Sequence, residues 1–181
     1  IKALLAISTI RAGGAAKPEE LAIDELLRHC RDQFSRQAAI KDLELRGVSS
    51  SRRVRSDRLL LQRVLDVLIG NAIRHAERGR VLIGCRGAGD TLRIGIFDQG
   101  SELDEPLLAH FSGTGELDEE KTKWRGYALG LSIVRELSAA AGHEMTVISQ
   151  LQRGTAIWLS VALKDTEEER PRSRIIIEPP A

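Results

Sequence analysis

Gly126-Tyr127-Ala128-Leu129-Gly130-Leu131-Ser132-Ile133-Val134 passes from a glycine-spaced loop into an apolar helix without a break. Such a junction leaves the first backbone N–H groups of a helix without intrahelical partners, free to hold an anion such as a phosphate. Small residues at a helix start are common, so the stretch gains meaning only from its surroundings. Upstream, residues 99–125 are polar, charged and irregular, a length that inside a compact domain belongs to a functional or mobile loop. Before them, Val81–Cys85 and Leu92–Phe97 flank Gly87-Ala88-Gly89-Asp90, which predicts a hairpin. Earlier still, Ser56 or Asp57 caps a long helix through about Ala76, with Leu61, Val64, Leu65, Leu68 and Ala72 on one face.

The remaining elements follow the same logic. Residues 22–38 carry leucines and Phe34 at helical spacing, with Asp24 as the expected N-cap, and 40–48 read as a strand through Ile40, Leu43 and Leu45. Residues 1–14 look like the end of an apolar-faced helix closed by Gly13-Gly14, and 15–22 like a Pro-containing linker. Downstream, a helix runs from Leu129 to Ala141, and strands over 144–150 and 155–163 meet at Gln152-Arg153-Gly154. The charge run of 164–181 is a tail or linker, and Ile175–Pro180 could open a further domain. The pattern predicts an α+β fold: a two-layer α/β sandwich whose mixed sheet is covered on one face by helices.

Composition narrows the function classes. Of 181 residues, 42% are apolar and 29% charged, which fits one globular domain with appendages rather than a disordered chain. A net charge of +1 gives no ground for expecting nucleic acid or an anionic membrane as partner. Cys30 and Cys85 make neither a disulfide framework nor a metal spacing, so a reducing, cytoplasmic compartment is the default. No apolar run approaches the roughly 20 residues that span a bilayer. The chain starts at Ile1 rather than Met and reads as a piece of something longer, from which a membrane anchor could be missing.

Two further elements carry chemistry. Asn71 lies among apolar residues in Val67-Leu68-Ile69-Gly70-Asn71-Ala72-Ile73-Arg74-His75. A core-packed Asn must hydrogen-bond or bear a cost of about 1–3 kcal/mol, and its carbonyl oxygen suits Mg²⁺. Arg74 and His75 share its helix face, one placed for phosphate and the other for a base. The plain alternative is a helix-surface Asn with two solvated neighbours. Asp98 ends the strand Leu92–Phe97 before Gln99-Gly100, where a carboxylate can accept from an exocyclic amine and Gly100 allows close approach, or where it merely forms a turn.

Helix Asn, strand-Asp-x-Gly, long polar loop, Gly-x-Ala-x-Gly-Leu and Gly-Thr, in that order, resemble the ATP-binding domain of sensor histidine kinases. The wider superfamily includes DNA gyrase, Hsp90 and MutL. The resemblance covers about residues 15–163 and implies an ATP–Mg²⁺ site. Asn71 would coordinate Mg²⁺, Asp98 would read adenine, and Gly126 and Gly130 would hold phosphates, with 101–125 closing as a lid. Arg74, His75, Gly100, Leu103, Ala128, Leu129, Leu131 and Thr155 fall at the remaining nucleotide-contacting positions, Thr155 as support for Asp98. The resemblance also implies a homodimer of the full-length protein, the dimerisation and phosphoacceptor domain of the same protein as partner, and a response regulator. A Rossmann site is excluded because the glycines follow a polar loop rather than a strand, and a P-loop because no Gly-Lys-Ser/Thr occurs.

The pattern departs from the family at Val67, where an Asn or acid normally stands four residues before the metal ligand, with Asp66 one residue out of register. One residue on a helix is about 100° of rotation, so Asp66 is not expected to substitute. Glu102 replaces the second Gly after Asp98, Ala128 replaces the middle glycine of the loop, and the family's aromatic-rich segment before the lid is thin, with Phe111 the only clear candidate. The four histidines, His29, His75, His110 and His143, lie in the wrong elements for a phosphoacceptor, so the chain alone is not expected to autophosphorylate. Val67 and Glu102 keep open a degenerate regulatory module without kinase activity. Val67 also argues against a gyrase- or Hsp90-type ATPase, which needs an acid there to activate water.

Overall fold

A computed structural model describes residues 16–48, 50–100, 103–112, 125–150, 154–163 and 175–177. Its elements are β1 (Glu19–Ala22), α1 (Ile23–Ile40), β2 (Glu44–Gly47), β3 (Arg53–Ser56), α2 (Arg58–His75), β4 (Arg80–Ala88), β5 (Thr91–Asp98), α3 (Glu105–Ser112), α4 (Arg125–Ala141), β6 (Glu144–Gln150), β7 (Gly154–Ala162) and β8 (Ile175–Ile177). The main sheet has the order β2-β4-β5-β7-β6-β8, antiparallel except for the outer pairs β2–β4 and β6–β8. β1 and β3 form a separate antiparallel ribbon, joined to the end of β7 by a Val54–Leu163 bridge.

The period of two along the strands sorts the sheet into faces. Val81 and Ile83 of β4, Leu92, Ile94 and Ile96 of β5, and Ile157, Leu159 and Val161 of β7 are buried beneath the helices. α2 closes that layer with Leu61, Val64, Leu65, Leu68, Ile69 and Ile73, and lies between α1 and α4. On the other face Phe97 and Trp158 meet edge to face, ring centroids 4.9 Å apart at 86°, with the Arg93 guanidinium 5.7 Å from the indole centroid. Gly95 permits that packing, since a Cβ there would lie 2.7 Å from both rings. This is the expected mixed sheet covered on one face by helices.

Several boundaries differ from expectation, each for a local reason. Asp57 is the cap of α2, its Oδ1 accepting from Leu60 N at 3.0 Å. Asp24 is not the cap of α1: the helix begins at Ile23 after Ala22, and Asp24 and Glu25 sit in the first turn, where acids favour the helix dipole. Ile40 ends that helix, so the following strand is only Glu44–Gly47. The expected 15–22 linker contains β1, held to β3 by backbone pairing and by an Arg53–Glu20 ion pair. The polar stretch 99–125 contains α3, whose first turn is capped by Asp104 Oδ1 accepting from Leu107 N at 3.2 Å. Ile175–Ile177 adds to this sheet beside β6 rather than opening another. The helix expected from Leu129 starts at Arg125, so Gly126 to Gly130 are helical rather than looped.

Candidate functional site

The last turns of α2, the end of β5, the start of β7 and the start of α4 converge at one end of the sandwich. Asp98 and Thr155 are cross-strand partners on β5 and β7, both buried. Asp98 Oδ1 accepts from Gly100 N at 2.9 Å, closing a tight turn. Burial pushes the carboxyl up to about 6, against a lowering by the Gly100 N–H. The result is a buried carboxylate held by one backbone N–H and able to accept from another N–H group.

Two glycines make this corner possible. A Cβ at Gly100 would lie 2.6 Å from the His75 carbonyl oxygen and 2.8 Å from Asp98 Oδ1, so the turn can press on the end of α2 only without a side chain. Gly154 adopts φ +84°, and a Cβ there would run into the Asp98 carbonyl. The glycine before Thr155 therefore serves backbone geometry.

Asn71 faces α4. Its side chain is buried, and Nδ2 has no hydrogen-bond partner among the described residues. A Cβ at Gly130 would collide with that amide, so Gly130 lets α4 lie directly on Asn71. Arg74 Nη1 would stand 3.8 Å from a Cβ at Gly126, placing the guanidinium beside the first turn of α4. His75 is half-buried, and its pKa is lowered by desolvation and then by the positive charges of Arg74 and Lys41. A neutral imidazole on the last turn of α2 suits contact with an uncharged ring.

Other expected residues fall differently. Leu103, Ala128 and Leu131 are part of the apolar core, and Leu129 projects into solvent at 57% exposure. Thr155 pairs its hydroxyl with Ser149 Oγ at 3.2 Å rather than with Asp98. Ser149 Oγ also accepts from Leu103 N at 3.0 Å and so ties the segment after the Asp98 turn to β6. Sequence reading missed Ser149, whose only signal is a polar residue on the buried face of β6. Asp66 turns toward α1, 3.9 Å from Cys30 Sγ and 3.4 Å from Arg63 Nη1, so it does not replace the acid missing at Val67. Glu102 and the lid residues 101–102 and 113–124 lie outside the described residues. No cluster of three or more His, Cys, Asp or Glu side chains suited to a metal occurs among the described residues. A Mg²⁺ carried by phosphates would be met by the carbonyl oxygen of Asn71, an oxygen ligand of the kind it prefers, while the unmet Nδ2 is a donor and would not hold a cation.

Residues 56–165 match the model of the family described as Histidine kinase-, DNA gyrase B-, and HSP90-like ATPase. The chain is 35% identical over 109 residues to the sensor protein IrlS of Burkholderia pseudomallei, covering 59% of this chain and 24% of that protein. It thus spans about a quarter of that relative. The histidine kinase AdeS of Acinetobacter baumannii superposes with a TM-score of 0.71 at 17% identity, over 91% of this chain and 77% of that one, a likeness of fold. Full-length ShkA, solved in complex with AMPPNP, superposes at 0.67 with 25% identity, over 90% of this chain and 36% of its own. The chain belongs to the histidine kinase-, DNA gyrase B- and HSP90-like ATPase family, as an ATP-binding catalytic domain of the sensor histidine kinase type.

Proposed function

We propose that the chain binds ATP with Mg²⁺ between α2, the Asp98 turn and α4, and that the parent protein passes the γ-phosphate to a His on a dimerisation helix. The observation that carries the reading is Asp98, a buried carboxylate at the end of β5 with one oxygen fixed by Gly100 N. Adenine's exocyclic amine supplies a further N–H donor, and His75 lies at the same corner. Arg74 at the start of α4 supports the phosphates, and Lys121 and Lys123 would add charge from the lid. Asn71 would hold Mg²⁺, which when bound neutralises phosphate charge and orients the transferred group. The residues themselves bind and position; none acts as phosphoacceptor. The partners of this reading are the phosphoacceptor domain of the same protein, within a homodimer, and a response regulator. No nucleic acid or membrane contact is part of it, and the domain works in the cytoplasm. No helix among the described residues is long and apolar enough to cross a membrane.

Phosphorylation of the full-length parent from labelled ATP, with and without Asn71→Ala, tests this reading. Loss of label in the variant is the expected result, and undiminished label contradicts it. A second reading, nucleotide binding without phosphoryl transfer, is favoured by one observation: Asp66 is engaged with Cys30 and Arg63, leaving apolar Val67 in the place of the family's acid or Asn. A parent that binds ATP, takes up no label and still signals would support that second reading.

A further inference from the structure

The four last carbonyls of an α-helix lack intrahelical partners, and a cation near them is stabilising. In α2 those carbonyls belong to the turn that carries Arg74 and His75. Lys41, 32 to 35 residues earlier in the chain, directs its ammonium at three of them. Nζ donates to the carbonyls of Ile73 at 2.9 Å, Arg74 at 2.8 Å and Ala76 at 2.8 Å. An ammonium has three protons, and all three are used. The fourth carbonyl, of His75, packs against Gly100.

Lys41 is itself fixed. It sits in the turn between α1 and β2, where Lys41 N and Leu43 N both bond to Ala38 O at 3.0 Å and Asp42 takes φ +55°. Glu44 N then bonds to Gly79 O at 3.0 Å, fastening the start of β2 to the loop that follows α2. One side chain therefore connects a rigid turn to the helix end standing between Asn71 and the Asp98 corner.

We infer that Lys41 is a positioning residue of the nucleotide site: its ammonium locks the last turn of α2 so that the Arg74 guanidinium faces the start of α4 and the His75 backbone stays packed on the Asp98 turn. The inference rests on the nucleotide reading above. A role in stability alone would lower the melting temperature and leave affinity unchanged, whereas a positioning role changes affinity in the folded protein. Removing the ammonium releases three carbonyls at once, and the freed turn lets the Arg74 and His75 side chains drift from the phosphates and the base.

The test compares Lys41→Met, which keeps the stem and loses the donors, with Lys41→Arg, which keeps charge and donors. Each is verified as folded by circular dichroism and titrated calorimetrically with ATP and Mg²⁺ well below its melting temperature. Met is expected to weaken ATP binding at least fivefold, with Arg within about threefold of the parent. Should Met not fold, Lys41→Gln, which keeps one donor route, takes its place with the same threshold. A Met or Gln variant binding ATP within twofold of the parent overturns the inference and leaves the nucleotide site standing. A folded parent that binds no ATP removes both.

Discussion

Replacing Asp98 by Asn should separate binding from stability, moving them in opposite directions. The carboxyl titrates at about 6 in the folded protein against 3.8 ordinarily, because burial disfavours its charged form. A rise of that size at a buried group corresponds to roughly 3 kcal/mol of destabilisation at neutral pH, taking about 1.4 kcal/mol per unit. The sign follows from proton counting. Between pH 4 and 6 the folded state holds more protons than the unfolded one, so this group's stabilising contribution is present below 3.8 and lost as pH rises through about 6. Asn keeps an oxygen for Gly100 N and never ionises. At pH 7 the variant should therefore melt higher than the parent, with a ceiling of roughly 6–12 °C at about 2–4 °C per kcal/mol. Its ATP affinity should fall roughly 10–150-fold, the worth of about 1.5–3 kcal/mol for a hydrogen bond to a charged acceptor. In the parent the same ionisation makes ATP binding weaken as pH drops below about 6. Thermal unfolding at pH 7 and calorimetric titration read both quantities. A variant that melts lower than the parent, or binds ATP equally well, refutes the reasoning.

Three other predictions follow from the packing. His143, buried against Ser56 Oγ at 2.8 Å and pushed down to about 4 by desolvation, should cost stability as pH falls from 6.5 toward 4. That slope opposes the one from Asp98, so it should stand out in thermal melts of Asp98→Asn and vanish when His143→Gln is added. Gly130→Ala forces a methyl into the Asn71 amide and should cost about 1–3 kcal/mol of stability as well as ATP affinity, measured by urea unfolding and titration. Ser149→Ala leaves the buried Leu103 N without an acceptor and should cost about 1–3 kcal/mol. Amide exchange at Leu103 should speed up with it, and unchanged exchange there would argue against the tie.

The central helix and the hairpin were legible because their signals are local. α2 has its heptad-like apolar face and an Asp57 cap, and β4 and β5 turn about Gly89, which adopts φ +60°. The order of Asn71, Asp98 and the glycines was equally plain, being a matter of residue identity. β1 and β3 were missed because four residues each, rich in Glu and Arg, show too few alternations. α3 was hidden in a polar stretch, although Asp104 before Glu105-Pro106 is a helix-start signal. Two glycines argue against a helix at 126–130, at about 1 kcal/mol each, and close packing of Gly130 on Asn71 overrides them. Ser149 and Lys41 could not be read in advance. Their roles depend on partners 6 to 46 residues away, brought close only by the folded sheet and helix ends.

Calorimetric titration of the chain with a non-hydrolysable ATP analogue, with and without Mg²⁺, bears most directly on the nucleotide site. The site built from Asn71, Asp98 and the start of α4 predicts saturable one-to-one binding that tightens with Mg²⁺. No binding at millimolar analogue by the folded chain would contradict it.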